Sequence, residues 1–336
     1  MNEHSLEKEK NSLGKVLHKI PPVLWALVIA VVVLGIVSPS SIEGAHLLDF
    51  TRQAAPLIIV GIGQTLVMLI GGIDLSVGAM MSFTTVMASG LMMGHPENAG
   101  FGVLLCILIG IGVGLANGLF CAKLRMPPFV TTLGMSMLLF GVMMIMCNGA
   151  PSGKIPENLR FWATGFIAGI PSAFYVWILI AVVVMILIKL TPLGRYIFCT
   201  GANERAVNLA GLNVVKIKLI AYGLCGLLAA LAGLVLAAYI GTGSLTVGDD
   251  YQMDSLTVAI LGGAAFDGGK GSIVGTILAS LFLMVLFSLI AVLNLDIAIR
   301  TMIKGIILVF GFLLNNLQGQ RGRRRKKVKA AVNCAE

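Results

Sequence analysis

Leu69-Ile70-Gly71-Gly72-Ile73-Asp74-Leu75-Ser76-Val77-Gly78 is the stretch that decides how this chain is read. It puts a carboxylate inside a glycine-rich break, and from Ala54 to Gly94 Asp74 is the only charged residue. A membrane span takes roughly 20 apolar residues, so the run is long enough for two spans with the break between them. On insertion scales an aspartate at the centre of a spanning helix costs roughly 2.5–3.5 kcal/mol. Asp74 therefore belongs at a helix end, against a partner or in a wet cavity, and each of these suits a chain that something polar crosses.

The composition around the break agrees with a membrane fold. The 336 residues are 57% hydrophobic and only 12% charged, with a mean hydropathy of +0.96, whereas soluble domains carry about 25% charged residues. A soluble fold is excluded. The 41 glycines show no triplet period, so they are read as close helix packing and helix interruption. The six cysteines form no CxxC pair and are expected to be packing residues rather than disulfides or ligands. There is no HExxH, GxSxG or metal-spaced cluster, and the four histidines all lie outside the apolar runs. Catalytic residues, a bound metal and a cofactor are accordingly not expected.

Working outward, the expected fold class is all-α, a polytopic helical membrane protein with about ten transmembrane segments and both termini cytoplasmic. The first span is read at residues 20–38, too long for a signal-peptide core and without a cleavage site after it. Further apolar stretches lie near 55–72, 75–94, 101–121, 128–149, 172–190, 218–240, 253–265, 273–294 and 300–316. The eighth is short for a span. Residues 1–19 form a cytoplasmic segment, 20–316 the transmembrane domain and 317–336 a basic tail. Loop charge supports this topology. Lys123, Arg125, Lys189, Arg195, Arg205, Lys216, Lys218 and Lys270 fall on the side of the N-terminus, and most acidic loop residues fall on the other, as the positive-inside rule asks. The run Arg321 to Lys329 carries seven basic residues. Directly after a span it is read as a cytosolic anchor meeting anionic membrane lipid, not as a nucleic-acid arm.

Four further patterns matter. Gly110, Gly114 and Gly118 repeat at four-residue spacing, a helix-association signal. Gln64 to Gly72 is echoed by Ser255 to Gly263, and both lead through a break holding an acid, Asp74 or Asp267, to a serine, Ser76 or Ser272. Interrupted segments at matching places in two halves point to a central site in transporters. Ala264 to Ser272 resembles a phosphate-binding loop only superficially, because alanine stands where the first glycine belongs and Gly271 where the hydroxyl should be. Within the longest basic-side loop, 191–217, Asn203 can cap a short helix with Glu204 in its first turn and Gly211 at its end. Ala206, Leu209 and Ala210 would form a shallow apolar stripe, with Arg205 beside it, that a partner groove could accept.

These residues resemble the membrane-spanning permease subunits of bacterial ABC importers for monosaccharides, of the ribose, galactose, xylose and arabinose type. Gly72-Ile73-Asp74-Leu75-Ser76-Val77-Gly78 looks like the signature after that family's second span. Pro128-Phe129-Val130-Thr131-Thr132-Leu133-Gly134 is similar to its Pro-Phe-Ile/Val-Thr-Thr-Leu-Gly, and Gly201 to Val214 resembles its coupling segment. Glu204 departs from the pattern, where many members have proline. The resemblance covers residues 20–316. It implies a second permease subunit, a cytosolic ABC ATPase, an extracytoplasmic sugar-binding protein and location in the bacterial inner membrane. By the same resemblance, Gly201, Asn203, Glu204, Arg205, Ala206, Leu209, Ala210 and Gly211 would dock on the ATPase.

Gln64, Asp74, Ser76, Ser82, Asn117, Thr131 and Thr132 are the candidate pathway residues, because hydroxyls and amides can replace the water lost by a neutral polyol. Interhelical hydrogen bonding is the alternative for each of them. An ABC permease for an amino acid or nucleoside is the neighbouring function. An ion-coupled carrier fits less well, since Asp74 is read as the only acid well inside the apolar stretches, without a basic partner there. A channel would want rings of polar residues and leaves the helix after Asn203 unexplained. Charge counting places Asp74 near the cytosolic ends of its two spans, as a structural latch rather than a proton carrier.

Overall fold

The computed structural model describes residues 22–296, 298–311 and 313. The N-terminal segment 1–19 and the basic tail 317–336 lie outside the described residues, as does the run Arg321 to Lys329. Helices occupy each of the ten apolar stretches. In chain order, α1 (Pro22–Val37), α2 (Gly44–Leu69), α3 (Val77–Met92), α4 (Ala99–Ala122) and α5 (Pro128–Cys147) come first. A short α6 (Glu157–Thr164) and a two-stranded hairpin, β1 (Phe166–Ile167) with β2 (Ile170–Pro171), then lead to α7 (Ser172–Leu190). Next are α8 (Pro192–Ala202), α9 (Glu204–Leu209), α10 (Val214–Ile240), α11 (Asp249–Leu261) and α12 (Ile273–Val292), and helix α13 covers 298–311. Six of these, α2, α4, α5, α7, α10 and α12, are long and apolar enough to cross a bilayer, while α1 and α3 are shorter apolar helices.

The arrangement is concentric. In α2, 89% of the apolar stretch is buried against the rest of the fold, and in α10 67%, against 22% for α5 and 28% for α7. Helices α2, α3 and α10 thus form the axis, and the outer helices turn isoleucine and leucine outward, as Ile145, Leu179 and Ile29 do. Among lipid tails such exposure carries no penalty, so association rests on close packing and polar contacts instead. The glycine repeat of α4 supplies the packing. A β-carbon on Gly110 would lie 2.6 Å from the Gly226 carbonyl, and one on Gly114 would meet the Tyr222 carbonyl. Only hydrogen fits between α4 and α10 there. Gly112, on another face of α4, has open space.

The segment 241–248 is neither helix nor strand, yet it runs alongside α3. Ser244 N–H donates to Thr85 Oγ1 (3.1 Å), Thr85 Oγ1 donates to Ser244 O (3.1 Å), and Gly248 N–H donates to Ser82 Oγ (2.9 Å). Non-helical backbone at membrane depth is tolerated only where protein satisfies it. Here the hydroxyls of α3 do so, and α11 starts beside Gly78 rather than at the level of the end of α10.

Candidate functional site

The break after α2 is enclosed. Asp74 is 1% exposed, and its Oδ1 accepts from Ser76 N–H (2.9 Å) and Ser76 Oγ–H (2.6 Å). Asn117, projecting from α4, donates through Nδ2 to Ser76 Oγ (2.9 Å) and, at 3.4 Å, to Asp74 Oδ1. Thr132 on α5 accepts the Leu75 N–H (3.0 Å), and Tyr222 on α10 donates to Ile73 O (3.4 Å). A carboxylate removed from water needs its lone pairs filled, and three helices converge on the break to fill them and to satisfy its backbone. Asp74 is held by its own turn and by Ser76 and Asn117.

Four of the seven candidate pathway residues, Asp74, Ser76, Asn117 and Thr132, therefore form one network. Thr131 returns its hydroxyl to Pro127 O (3.1 Å), and Ser82 is occupied by Gly248. Gln64 stands apart from them on α2, fully buried, with neither Oε1 nor Nε2 hydrogen-bonded. All seven are buried in this conformation.

The end of the bundle that bears the basic loops carries the segment after α7. Asn203 caps α9, its Oδ1 accepting from Ala206 N–H (3.1 Å), and Gly211 follows at φ +80°. Glu204 pairs with Lys218 of α10 (2.7 Å). Val207 is the residue that turns into the fold, at 5% exposure, while Ala206 and Ala210 are exposed and Leu209 is 90% exposed. The apolar stripe thus faces away from its own chain. Arg205 is exposed on the same two-turn helix.

One expectation is corrected. Asp74 is not the only acid inside: Asp254 on α11 is 5% exposed and pairs with Lys304 on α13, whose Nζ lies 3.0 Å from Asp254 Oδ2 and 3.0 Å from Asp250 Oδ1. Arg300 and Lys304 also stand over the Phe287 ring, at 4.2 and 4.9 Å from its centroid. Acids at 250 and 254 and bases at 300 and 304 each sit four apart, one helical turn. The four-residue spacing within each pair is visible in the sequence, but the stretches are the eighth and the tenth and nothing local sets them side by side. Thr65 and Thr276, whose hydroxyls meet at 2.7 Å between α2 and α12, are a second polar contact that sequence reasoning missed.

Together the helices and the enclosed break define a multi-pass helical membrane protein with interrupted helices. The family described as "Branched-chain amino acid transport system / permease component" matches residues 46–311, and the chain belongs to it. Among relatives, the ribose import permease protein of Escherichia coli (strain K12) is 34% identical over 87% of this chain and 92% of its own length. That of Bacillus subtilis (strain 168) is 32% identical over 92% and 96%. The fructose import permease protein of Rhizobium meliloti is 34% identical over 81% and 79%. No solved structure matches. The family consists of permease components, so the chain is a non-catalytic transport subunit of the ABC importer type.

Proposed function

We propose that this chain translocates a monosaccharide across the bacterial inner membrane, taking it from an extracytoplasmic binding protein and drawing energy from a separate cytosolic ATPase. A second permease subunit would complete the pathway. The observation that carries the ATPase reading is α9: a capped helix at the basic end, which the positive-inside rule assigns to the cytosol, with Ala206, Leu209 and Ala210 facing outward. The sugar reading rests on the ribose and fructose importers among the relatives and on the stock of neutral hydroxyl and amide side chains near the breaks. Gln64, with both amide atoms unpartnered, is the residue most able to accept a polyol hydroxyl once the helices around it part.

Uptake of radiolabelled ribose, fructose and a branched-chain amino acid is the test, in cells or vesicles holding the whole transporter with the ATPase intact or catalytically disabled. ATP-dependent uptake of a pentose or hexose is expected. Uptake that survives loss of ATP hydrolysis and collapses with a protonophore would overturn the ATPase reading, and uptake of the amino acid alone would overturn the sugar.

A further inference from the structure

Three parts of the chain meet at the basic end with only backbone between them: the end of α2, the loop 262–272 and the end of α8. Gly269 N–H donates to Leu69 O (2.8 Å). A β-carbon on Gly201 would collide with both Leu69 O and Gly269 N, and one on Gly268 would lie 2.8 Å from Gly71 N and 2.9 Å from the Gly201 Cα. One on Gly269 would lie 3.0 Å from the Ala202 Cβ. The tip of α8 is thus seated in a notch whose walls are the two interrupted segments, Leu69–Gly71 on one side and Gly268–Gly269 on the other.

The neighbourhood is built for transmission. Asn203 alone separates α8 from α9, and the Glu204–Lys218 pair fixes α9 to the start of α10. A cavity of about 310 Å³ lies beside Phe198 of α8, among Leu69, Lys189 and Ser272. Backbone-to-backbone contact passes displacement without the slack of side-chain rotamers. Helices α3 and α12 both start from these breaks.

We propose that Gly201 and Ala202 are positioning residues that tie both interrupted segments to α9, so that one displacement of α9 moves the starts of α3 and α12 together. This rests on the reading of α9 as the ATPase-docking helix. In the transport cycle the enclosed Asp74 turn and the loop bearing Asp267 would then shift in concert.

The test uses the complete transporter carrying Gly201→Ala, whose β-carbon would push the tip of α8 off both Leu69 and Gly269. Transport and the stimulation of ATP hydrolysis by loaded binding protein should both fall at least tenfold while the ATPase still co-purifies. Undiminished transport in that variant would overturn the proposal. Hydrogen exchange on the unaltered transporter is a second measurement: protection of 69–76 and 262–272 should change with one shared midpoint as ATP is added. A response from one segment alone, or two separate midpoints, would also overturn it. Failure of the docking reading has its own signature, an Ala206→Glu variant that keeps its ATPase, and the exchange measurement reports on the junction whatever that variant does.

Discussion

The breaks at 70–76 and 262–272 share a pattern and live in opposite surroundings. Each ends an apolar helix with a glycine in the left-handed region, Gly71 at φ +75° and Gly263 at φ +95°, a conformation open to glycine at little cost. Each then passes an acid and reaches a serine before the next helix. In the first, Asp74 and Ser76 bond each other and Asn117, walled in by α4, α5 and α10. In the second, Asp267 is exposed and Ser272 caps α12, its Oγ accepting from Gly275 N–H (3.1 Å). The local code stops a helix in both places. What becomes of the carboxylate is set by the neighbours, and neighbours are a property of the fold.

If the comparison is right, the helix leading into the second break is held from its far end, where Lys304 meets Asp250 and Asp254. Lys304→Ala should then be the costliest change, because it leaves Asp254 buried without its cation, a loss of about 3–5 kcal/mol. Thermal unfolding of the purified protein in detergent measures it, and an unchanged midpoint would break the claim that α13 anchors α11. Asp74→Ala comes next, at about 2 kcal/mol, since it takes the acceptor from Ser76 and leaves polar groups buried unpaired. Expression and monodispersity by fluorescence size exclusion should fall with it. Asp74→Asn sharpens the point: a latch loses assembly, whereas a proton site would keep assembly and lose coupling. Thr132→Val strips the acceptor from the Leu75 N–H, at about 1–2 kcal/mol, visible as a smaller downward shift in the same melt. Asp267→Ala should cost less than Asp74→Ala in the same melt, because the Asp267 carboxylate keeps its access to water. A loss there equal to that of Asp74→Ala would erase the distinction between the two breaks.

The helices were legible because each is a long apolar run, and the breaks because glycine pairs interrupt those runs. The α4–α10 contact was legible from one side only: Gly110, Gly114 and Gly118 announce a packing face, but nothing local names Gly226 as its partner. Asn203 as a cap could be read from its position before Glu204. Val207 as the buried residue of α9 could not, since in a two-turn helix Val207, Ala206 and Leu209 all make acceptable apolar faces and only the neighbouring helices choose. Asp254 and Lys304 escaped for the same reason. Each sits in a stretch read alone, and the charge of one makes sense only beside the other. The descent of 241–248 along α3 has no periodicity at all, because its hydrogen bonds go to Ser82 and Thr85, more than 150 residues earlier in the chain.

The shortness of α11 bears on how the molecule is made. At 13 residues it spans about 20 Å, less than the roughly 30 Å hydrocarbon layer, and it carries Asp249, Asp250 and Asp254. Emerging alone from the insertion machinery, such a segment has no partition energy to draw it into lipid. Its berth exists only after α2 and α3 are in place, and Asp250 and Asp254 are answered only when Lys304 has been synthesised. Entry of this helix is consequently an event of folding rather than of hydropathy. A chain halted at Leu261 should leave α11 accessible to aqueous labels, while one extended through residue 311 should withdraw it.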